Sequence, residues 1–197
     1  PGSLSFAERF GFHEVDRQVE QVRVVAVEAA ANVPVGVEIV SVAQRPELWR
    51  LAYRDLAQQA FQDMANIVTM EATVQQWEQD WISDPSATFL ALADGRVIGC
   101  AGLLPDADRR GVAENGLTAV SRDWRGRGVA LALKQTTFVW AAQNGIREIY
   151  TWTQRGNADM RKLNERLGYR TRTESISVRA AASQVLTRLP RRGRTGV

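Results

Sequence analysis

Between an apolar, strand-like run ending at Val120 and a helix-forming run from Val129 to Gln143 stands Arg125-Gly126-Arg127-Gly128, with Ala130 just inside the helix. Glycine and alanine at 126, 128 and 130 remove side chains where the backbone must turn sharply or approach a partner closely. The first N–H groups of a helix have no internal acceptor and lie at the positive end of its dipole, so a strand-to-helix turn of this kind receives phosphate oxygens. Arg125 and Arg127 add charge. A lone Gly-x-Gly more often marks an ordinary turn; here the strand before, the helix after and the flanking arginines agree on an anionic ligand.

The surrounding pattern is that of a mixed α/β domain. Val37 to Val42 alternate as a strand does, and Pro46 opens a helix through Trp49, Tyr53, Leu56 and Phe61. Thr73 is placed to cap a short helix carrying Trp77 and Trp81, which Asp84-Pro85 closes. Thr88 to Ala93 and Val97 to Leu104 read as antiparallel strands joined at Asp94-Gly95, a dipeptide suited to a tight hairpin turn. Leu117 to Val120 and Ile149 to Thr153 are strands on either side of the Val129 to Gln143 helix, which Asn144-Gly145 ends. A helix from Asn157 to Leu167, closed by Gly168, and a strand around Ile176 to Val178 complete the pattern. Helices set among strands, with one hairpin and one β-α-β crossover, predict a mixed sheet.

Composition narrows the chemistry. The 197 residues, 45% of them hydrophobic, suffice for one core, and no run approaches the roughly 20 apolar residues of a membrane span. With no order of residues typical of a signal peptide either, a cytoplasmic location is expected. Cys100 is the only cysteine and His13 the only histidine, so no intrachain disulfide forms and no zinc cluster of the usual ligands can be assembled. A metal site is not expected. Residues 1–104 hold 7 basic and 14 acidic side chains, residues 105–197 hold 18 and 8. Only Lys134 and Lys162 are lysines, so the basic part is built from arginine, whose planar fork suits phosphate oxygens. A basic half suits nucleic acid or a small polyanion equally. The acidic half suits a cationic acceptor or merely a solvated face.

A short repeat bears on the domain organisation. Phe6-Ala7-Glu8-Arg9-Phe10-Gly11-Phe12 matches Leu163-Asn164-Glu165-Arg166-Leu167-Gly168-Tyr169, with Glu, Arg and Gly identical. Each copy reads as a helix end followed by a strand, Val19 to Val27 in the first case. Residues 1–33 are therefore expected to be an appendage equivalent to the last helix and strand of an upstream domain, its strand available to a neighbouring sheet edge. Residues 34–182 form the main domain and 183–197 a basic tail, expected to be disordered from Arg188 onward.

The segment around Gly128 resembles the GNAT superfamily of acyl-CoA-dependent N-acetyltransferases. Its pyrophosphate motif, Arg or Gln, two residues, Gly, one residue, Gly or Ala, is matched by Arg125, Gly128 and Ala130, with the usual valine five residues earlier at Val120. A second block of the family is matched by Asn157, Met160, Leu163, Glu165, Arg166, Gly168 and Tyr169. The resemblance covers residues 37–180 and is nearest to tandem-domain members, in the spacing of Thr118 to Val120 and of Asn157 to Asn164. It implies a central, mostly antiparallel mixed sheet with helices on both faces, and acetyl-CoA as cosubstrate with a primary amine as acceptor. By the same resemblance, Thr118, Ala119 and Val120 would bond the pantetheine arm through their backbone. The backbone of Arg125, Gly126, Arg127, Gly128, Val129 and Ala130 would hold the pyrophosphate. Asn157 would touch the cofactor, although a helix N-cap fits its position equally.

Acyl transfer from a thioester to an amine needs a neutral amine, a polarised carbonyl and a proton for the departing thiolate. The resemblance implies a glutamate base near Glu114, for which an exposed strand-edge carboxylate is the competing reading. It puts the family's usual tyrosine acid at Asn164, whose amide has no titratable proton, so the role moves to Tyr150, Tyr169 or water, or is absent. Cys100 reads as a core residue, since a nucleophilic thiol would need a histidine. One of Trp49, Tyr53, Trp77 and Trp81 is a candidate acceptor contact. An N-acetyltransferase of unknown acceptor is the leading reading. A degenerate acyl-CoA-binding sensor or scaffold comes next, and a nucleic-acid binder is a third alternative, disfavoured together with any membrane role. A homodimer or pairing with an upstream GNAT domain is the expected assembly.

Overall fold

A computed structural model describes residues 2–64, 71–82 and 84–181. Seven strands form one sheet: β1 (His13–Val24), β2 (Glu38–Ser41), β3 (Thr88–Ala93), β4 (Arg96–Pro105), β5 (Val112–Val120), β6 (Glu148–Gln154) and β7 (Arg170–Arg179). Their order across the sheet is β2-β3-β4-β5-β6-β1-β7, and all neighbours are antiparallel except β5 and β6. The helices are α1 (Gly2–Arg9), α2 (Glu47–Ala52), α3 (Gln58–Met64), α4 (Val74–Asp80), α5 (Val129–Gln143) and α6 (Ala158–Arg166). A π-helical stretch, Tyr53–Ala57, joins α2 to α3.

Local chemistry accounts for the boundaries. Asp94 (φ 49°) and Gly95 (φ 71°) both take positive φ, as a two-residue hairpin turn requires, and so join β3 to β4. Thr73 closes a capping box on α4: its hydroxyl accepts from Gln76 N–H at 3.2 Å while the Gln76 side chain accepts from Thr73 N–H at 2.9 Å. Alternation along β3 sends neighbouring side chains to opposite faces. Leu90 joins the cluster under α2 and α4 with Trp49, Leu56 and Trp77, and Phe89 and Ala91 join Val129 and Leu133 of α5. A third cluster gathers Leu103, Ala113 and Ile149 with Phe138 and Tyr169. Helices therefore cover both faces, as the sequence predicts.

Three strands differ from their sequence expectation. β5 begins at Val112, five residues earlier than the apolar run suggests, because Glu114 and Asn115 belong to it. β7 spans ten residues rather than three, because the apolar alternation covers only Ile176 and Val178 while Arg170 to Ser175 is exposed and polar. β1 runs from His13 to Val24 and is not free for a neighbouring sheet edge: it is inserted in this sheet, with Gln18–Val24 paired to β6 and residues from His13 to Val22 paired to β7. Gln21 at its centre is fully buried. The tail from Arg188 onward lies outside the described residues.

The short repeat has the same backbone solution twice. After α1, Gly11 (φ 83°) donates to Glu8 O at 2.9 Å and Phe12 N–H to Ala7 O at 3.1 Å. After α6, Gly168 (φ 84°) donates to Glu165 O at 3.0 Å and Tyr169 N–H to Asn164 O at 3.0 Å. Both are left-handed glycine caps, each turning a helix into the strand that follows. The two strands so started, β1 and β7, lie side by side and antiparallel.

Candidate active site

The parallel pair β5/β6 is joined only at Val112 to Glu114 against Glu148 to Tyr150, with one further tie, the Thr151 hydroxyl donating to Asn115 O at 2.9 Å. Beyond it the strands separate. On the other side of β5, the register with β4 shifts between Ala101 and Leu103, which bends the strand at the same level. The result is a cleft of about 480 Å³ between Gly116, Leu117 and Thr118 on one wall and Thr151 to Gln154 on the other. Trp49 and Trp81 reach it from the α2–α4 side, and Glu114, Lys134, Asn157 and Met160 complete much of its lining.

At one end of the cleft wall, β5 runs through Ser121 into a 3-10 turn, Arg122–Trp124, and then into α5. Gly126 (φ 73°) and Gly128 (φ 84°) take left-handed backbone, and Gly128 is the N-cap of α5 with no side-chain cap. The first helical bond is Ala132 N–H to Gly128 O at 3.0 Å, so the N–H groups of Val129, Ala130 and Leu131 precede it without an intrahelical acceptor. A side chain placed on Gly126 would meet nothing within 4 Å, and one on Gly128 only Pro34, at 3.7 Å. The helix tip is therefore open. The charge beside it is partly committed: Arg125 donates to Val120 O at 3.0 Å and to Asp63, and Arg122 donates to Asp63 at 2.9 Å. These two arginines hold the Asp63 carboxyl below its ordinary range, Arg122 contributing most. Arg127 lies over the Trp124 ring, 4.8 Å from its centroid.

Thr118, midway along the cleft wall, has a buried hydroxyl with no hydrogen-bond partner. Burying such a group costs on the order of 1–3 kcal/mol unless something bonds it. The sequence-predicted residues Thr118, Ala119 and Val120 thus run from this orphan hydroxyl to the open helix tip, along the edge of β5 that β6 has left. Acetyl-CoA fits that geometry: an extended arm can add to the strand edge and a diphosphate can meet the amides of Gly126 to Ala130.

Glu114 is half-buried in the cleft lining. Burial raises its carboxyl pKa, a hydrogen bond from Tyr150 lowers it, and Asp106 and Glu20 raise it again, for a net upward shift. Its own strand position explains the burial, since the pairing of β5 with β6 ends there. Asn157 is the N-cap of α6, its side chain accepting from Met160 N–H at 3.2 Å, and it also lines the cleft.

Asn164 is not brought to the cleft. It is fully buried, and its amide donates to Gln21 of β1 at 3.0 Å and to Thr153 at 3.4 Å, tying α6 to the inserted strand. Tyr169 is buried under α5 near Phe138, and burial raises its phenol pKa. The Tyr150 hydroxyl contacts Asp106 at 3.4 Å. Among the described residues no tyrosine lines the cleft. Cys100 is buried with its thiol pushed up to about 12, which suits a core residue and not a nucleophile. Of the candidate aromatics, Trp77 is fully buried, stacked on Trp49 at 4.4 Å, and Tyr53 donates to Ala72 O at 2.9 Å.

Sequence reasoning missed two residues. Lys134 is fully buried and donates to the Asn115 side chain at the cleft floor. A lysine amid Val129-Ala130-Leu131-Ala132-Leu133 was the available signal, because lysine is seldom fully buried without a partner. Asp63, the partner of Arg122 and Arg125, carried no sequence signal.

A model of the acetyltransferase (GNAT) family matches residues 41–169. The chain belongs to the GNAT acetyltransferase family. No curated protein matches it in sequence. Among solved structures it resembles a GCN5-related N-acetyltransferase from Sphaerobacter thermophilus, 24% identical, with a TM-score of 0.73 over 88% of this chain and 54% of that one. A tandem GNAT protein from the clavulanic acid biosynthesis pathway is 19% identical, with a TM-score of 0.66 over 89% of this chain and 57% of that one. A GCN5-related N-acetyltransferase from Kribbella flavida is 18% identical, with a TM-score of 0.62 over 95% of this chain and 66% of that one. This chain spans little more than half the length of the first two. At these identities the likenesses establish the GNAT fold, and acetyl-CoA is the cosubstrate the family uses. No described helix is long and apolar enough to cross a membrane.

Proposed function

We propose that this GNAT chain transfers an acetyl group from acetyl-CoA to a primary amine, in the cytoplasm. The observation that carries the reading is the continuous path from the unpartnered Thr118 hydroxyl, along Ala119 and Val120, to the open start of α5. Pantetheine lies along β5 and the diphosphate against the amides of Gly126 to Ala130, with Arg127 beside it and Asn157 across the cleft. Glu114, its carboxyl pushed up by burial, takes the proton from the acceptor ammonium, directly or through water. Asp80 and Glu114 give the cleft lining negative charge, and Trp49, Trp81 and Trp152 give it aromatic surface, which favours a cationic amine on an apolar stem.

Residues 1–33 are read as the last helix and strand of an upstream GNAT domain. The matching caps of α1 and α6 and the antiparallel packing of β1 on β7 support a local two-fold relation between the halves. That relation would put an upstream strand on the outer edge of β7, as β6 lies against β1. The whole would then be a tandem pair or a strand-sharing dimer.

Calorimetric titration with acetyl-CoA, followed by incubation with an amine panel and detection of free thiol, tests the transfer. Binding with thiol release from one or more amines is expected. Binding with no release across the panel would instead favour an acyl-CoA sensor, a reading the inward-turned Asn164 and the tyrosine-free cleft lining support.

A further inference from the structure

Lys134 is the buried titratable group that the reading above leaves without a task. It rises from α5 to the cleft floor, where its only polar partner among the described residues is the Asn115 side-chain oxygen. The Asn115 amide in turn donates to Gly102 O at 3.0 Å, and the Thr151 hydroxyl bonds Asn115 O at 2.9 Å, so the asparagine is fixed where the strands part. The Tyr169 ring lies 5.3 Å from the lysine nitrogen. Asn115 and Glu114 are successive strand residues and leave β5 on opposite faces. The ammonium and the carboxylate therefore flank the same stretch of the cleft from its two sides.

We propose that the Lys134 ammonium is the proton donor to the thiolate that departs when the acetyl group is transferred, a role that rests on the acyl-transfer reading. The acceptor nitrogen attacks the thioester carbonyl carbon; the C–N bond forms, the C–S bond breaks, and its electron pair goes to sulfur. Lys134 gives its proton to that sulfur, leaving CoA thiol and a neutral amine. The proton lost by the acceptor nitrogen goes to Glu114, and solvent restores the Lys134 proton. Burial supports this, since with no carboxylate paired to it the ammonium pKa falls to about 7, below the roughly 8.5 of an ordinary thiol. The proton then moves downhill. The other ionisable groups on its surroundings do not compete as donors: burial raises Cys100 on β4 and Tyr169 before β7, while Glu114 on β5 is the base and Arg23 on β1 is held by Glu28 and Leu167 O.

The test uses hydroxylamine, a small nucleophile uncharged at neutral pH, as the acceptor of the acetyl group from acetyl-CoA, with thiol release followed from pH 6 to 9. In the wild type kcat should fall as pH rises through about 7, the limb of an acid that must be protonated. Lys134→Met should lose about 10- to 100-fold in kcat and lose that limb, with acetyl-CoA affinity within about twofold. Asn115→Asp, which sets a carboxylate beside the ammonium, should move the limb to higher pH and keeps the question open to measurement if Lys134→Met fails to fold. A limb unmoved in Asn115→Asp, or unchanged in Lys134→Met, overturns the proposal. An acetyl mass added to Lys134 in the wild type would also overturn it, by making the residue an acceptor. Absence of acetyl-CoA binding by the wild type is a separate result that removes the acyl-transfer reading itself.

Discussion

The burial of Lys134 has a thermodynamic consequence that needs no ligand. Its ammonium ordinarily releases its proton near 10.5 and does so here at about 7, burial being the cause. Between those values the unfolded chain holds a proton that the folded chain does not, so stability rises with pH there and the cost of burial is at its full size below pH 7. At about 1.36 kcal/mol per pH unit, the cost is on the order of 4 kcal/mol at pH 7 and about 1.5 kcal/mol smaller at pH 8.5. Cys100, raised to about 12, works the other way, but a thiol that begins to ionise near 9 when unfolded subtracts only a few tenths of a kcal/mol at pH 8.5. Lys134→Met keeps the stem and removes the charge. It also strips Asn115 of its donor, at about 1–3 kcal/mol, so the variant should be as stable as the wild type or more so at pH 7. Urea unfolding followed by tryptophan fluorescence at pH 7 and 8.5 measures both. The wild type should gain about 1.5 kcal/mol across the interval and the variant should not. A wild type whose stability is flat over that interval, or a variant with the same slope, would refute the argument.

Four further outcomes are expected. Gly128→Glu sets a carboxylate at the open tip of α5 and should weaken CoA binding at least about tenfold more than Gly128→Ala; the two share the strain of a side chain at φ 84°, about 1–2 kcal/mol, so calorimetry on both separates strain from charge. Asp63→Asn releases Arg122 and Arg125 and should tighten CoA binding about threefold to tenfold, an effect that shrinks with added salt in titrations. Trp77→Ala removes a fully buried ring that exchanges indole-to-carbonyl hydrogen bonds of 2.9 and 3.1 Å with Trp49, and should cost about 3–5 kcal/mol in chemical denaturation. Deleting residues 1–33 takes β1 from between β6 and β7 and should leave a chain that aggregates or lacks cooperative unfolding, read by circular dichroism and size-exclusion chromatography.

What the sequence reveals here follows from where each signal is stored. The hairpin at Asp94-Gly95, the cap at Thr73 and the span of α5 are local, set by a few adjacent residues, and all three are legible. Only the end of β7 is, through Ile176 and Val178; Arg170 to Ser175 carries exposed polar residues on both faces and is strand because β1 supplies its ladder. The length of β5 is hidden for a related reason: Glu114 and Asn115 are poor strand formers, held by Leu104 and Leu103 opposite them. The repeat around Glu8 and Glu165 gives the helix caps correctly but says nothing of which sheet takes the strand that follows, since pairing is a long-range property. The same division holds for the site. The glycines of the cradle are a local pattern; the Lys134 to Asn115 contact joins residues 19 apart and emerges only when α5 is packed on the sheet.

The inserted strand and the inward-facing asparagine have one physical connection. Asn164 occupies the place where the family resemblance puts a tyrosine, and a phenol there would have to displace Gln21 of β1, which is fully buried and accepts the Asn164 amide at 3.0 Å. With β1 threaded beneath α6, a compact side chain that bonds the strand fits this position better than a long one aimed at the cleft. The carboxylate of Glu114 and the amine of Lys134 are then two titratable groups in the cleft lining, one held toward its neutral form by burial and the other with its ammonium weakened by the same cause. A carboxylate made more basic and an ammonium made more acidic are each moved toward neutral pH, where proton transfer in either direction costs least. The strand arrangement that removes the usual acid from the cleft thus coincides with a substitute supplied from α5.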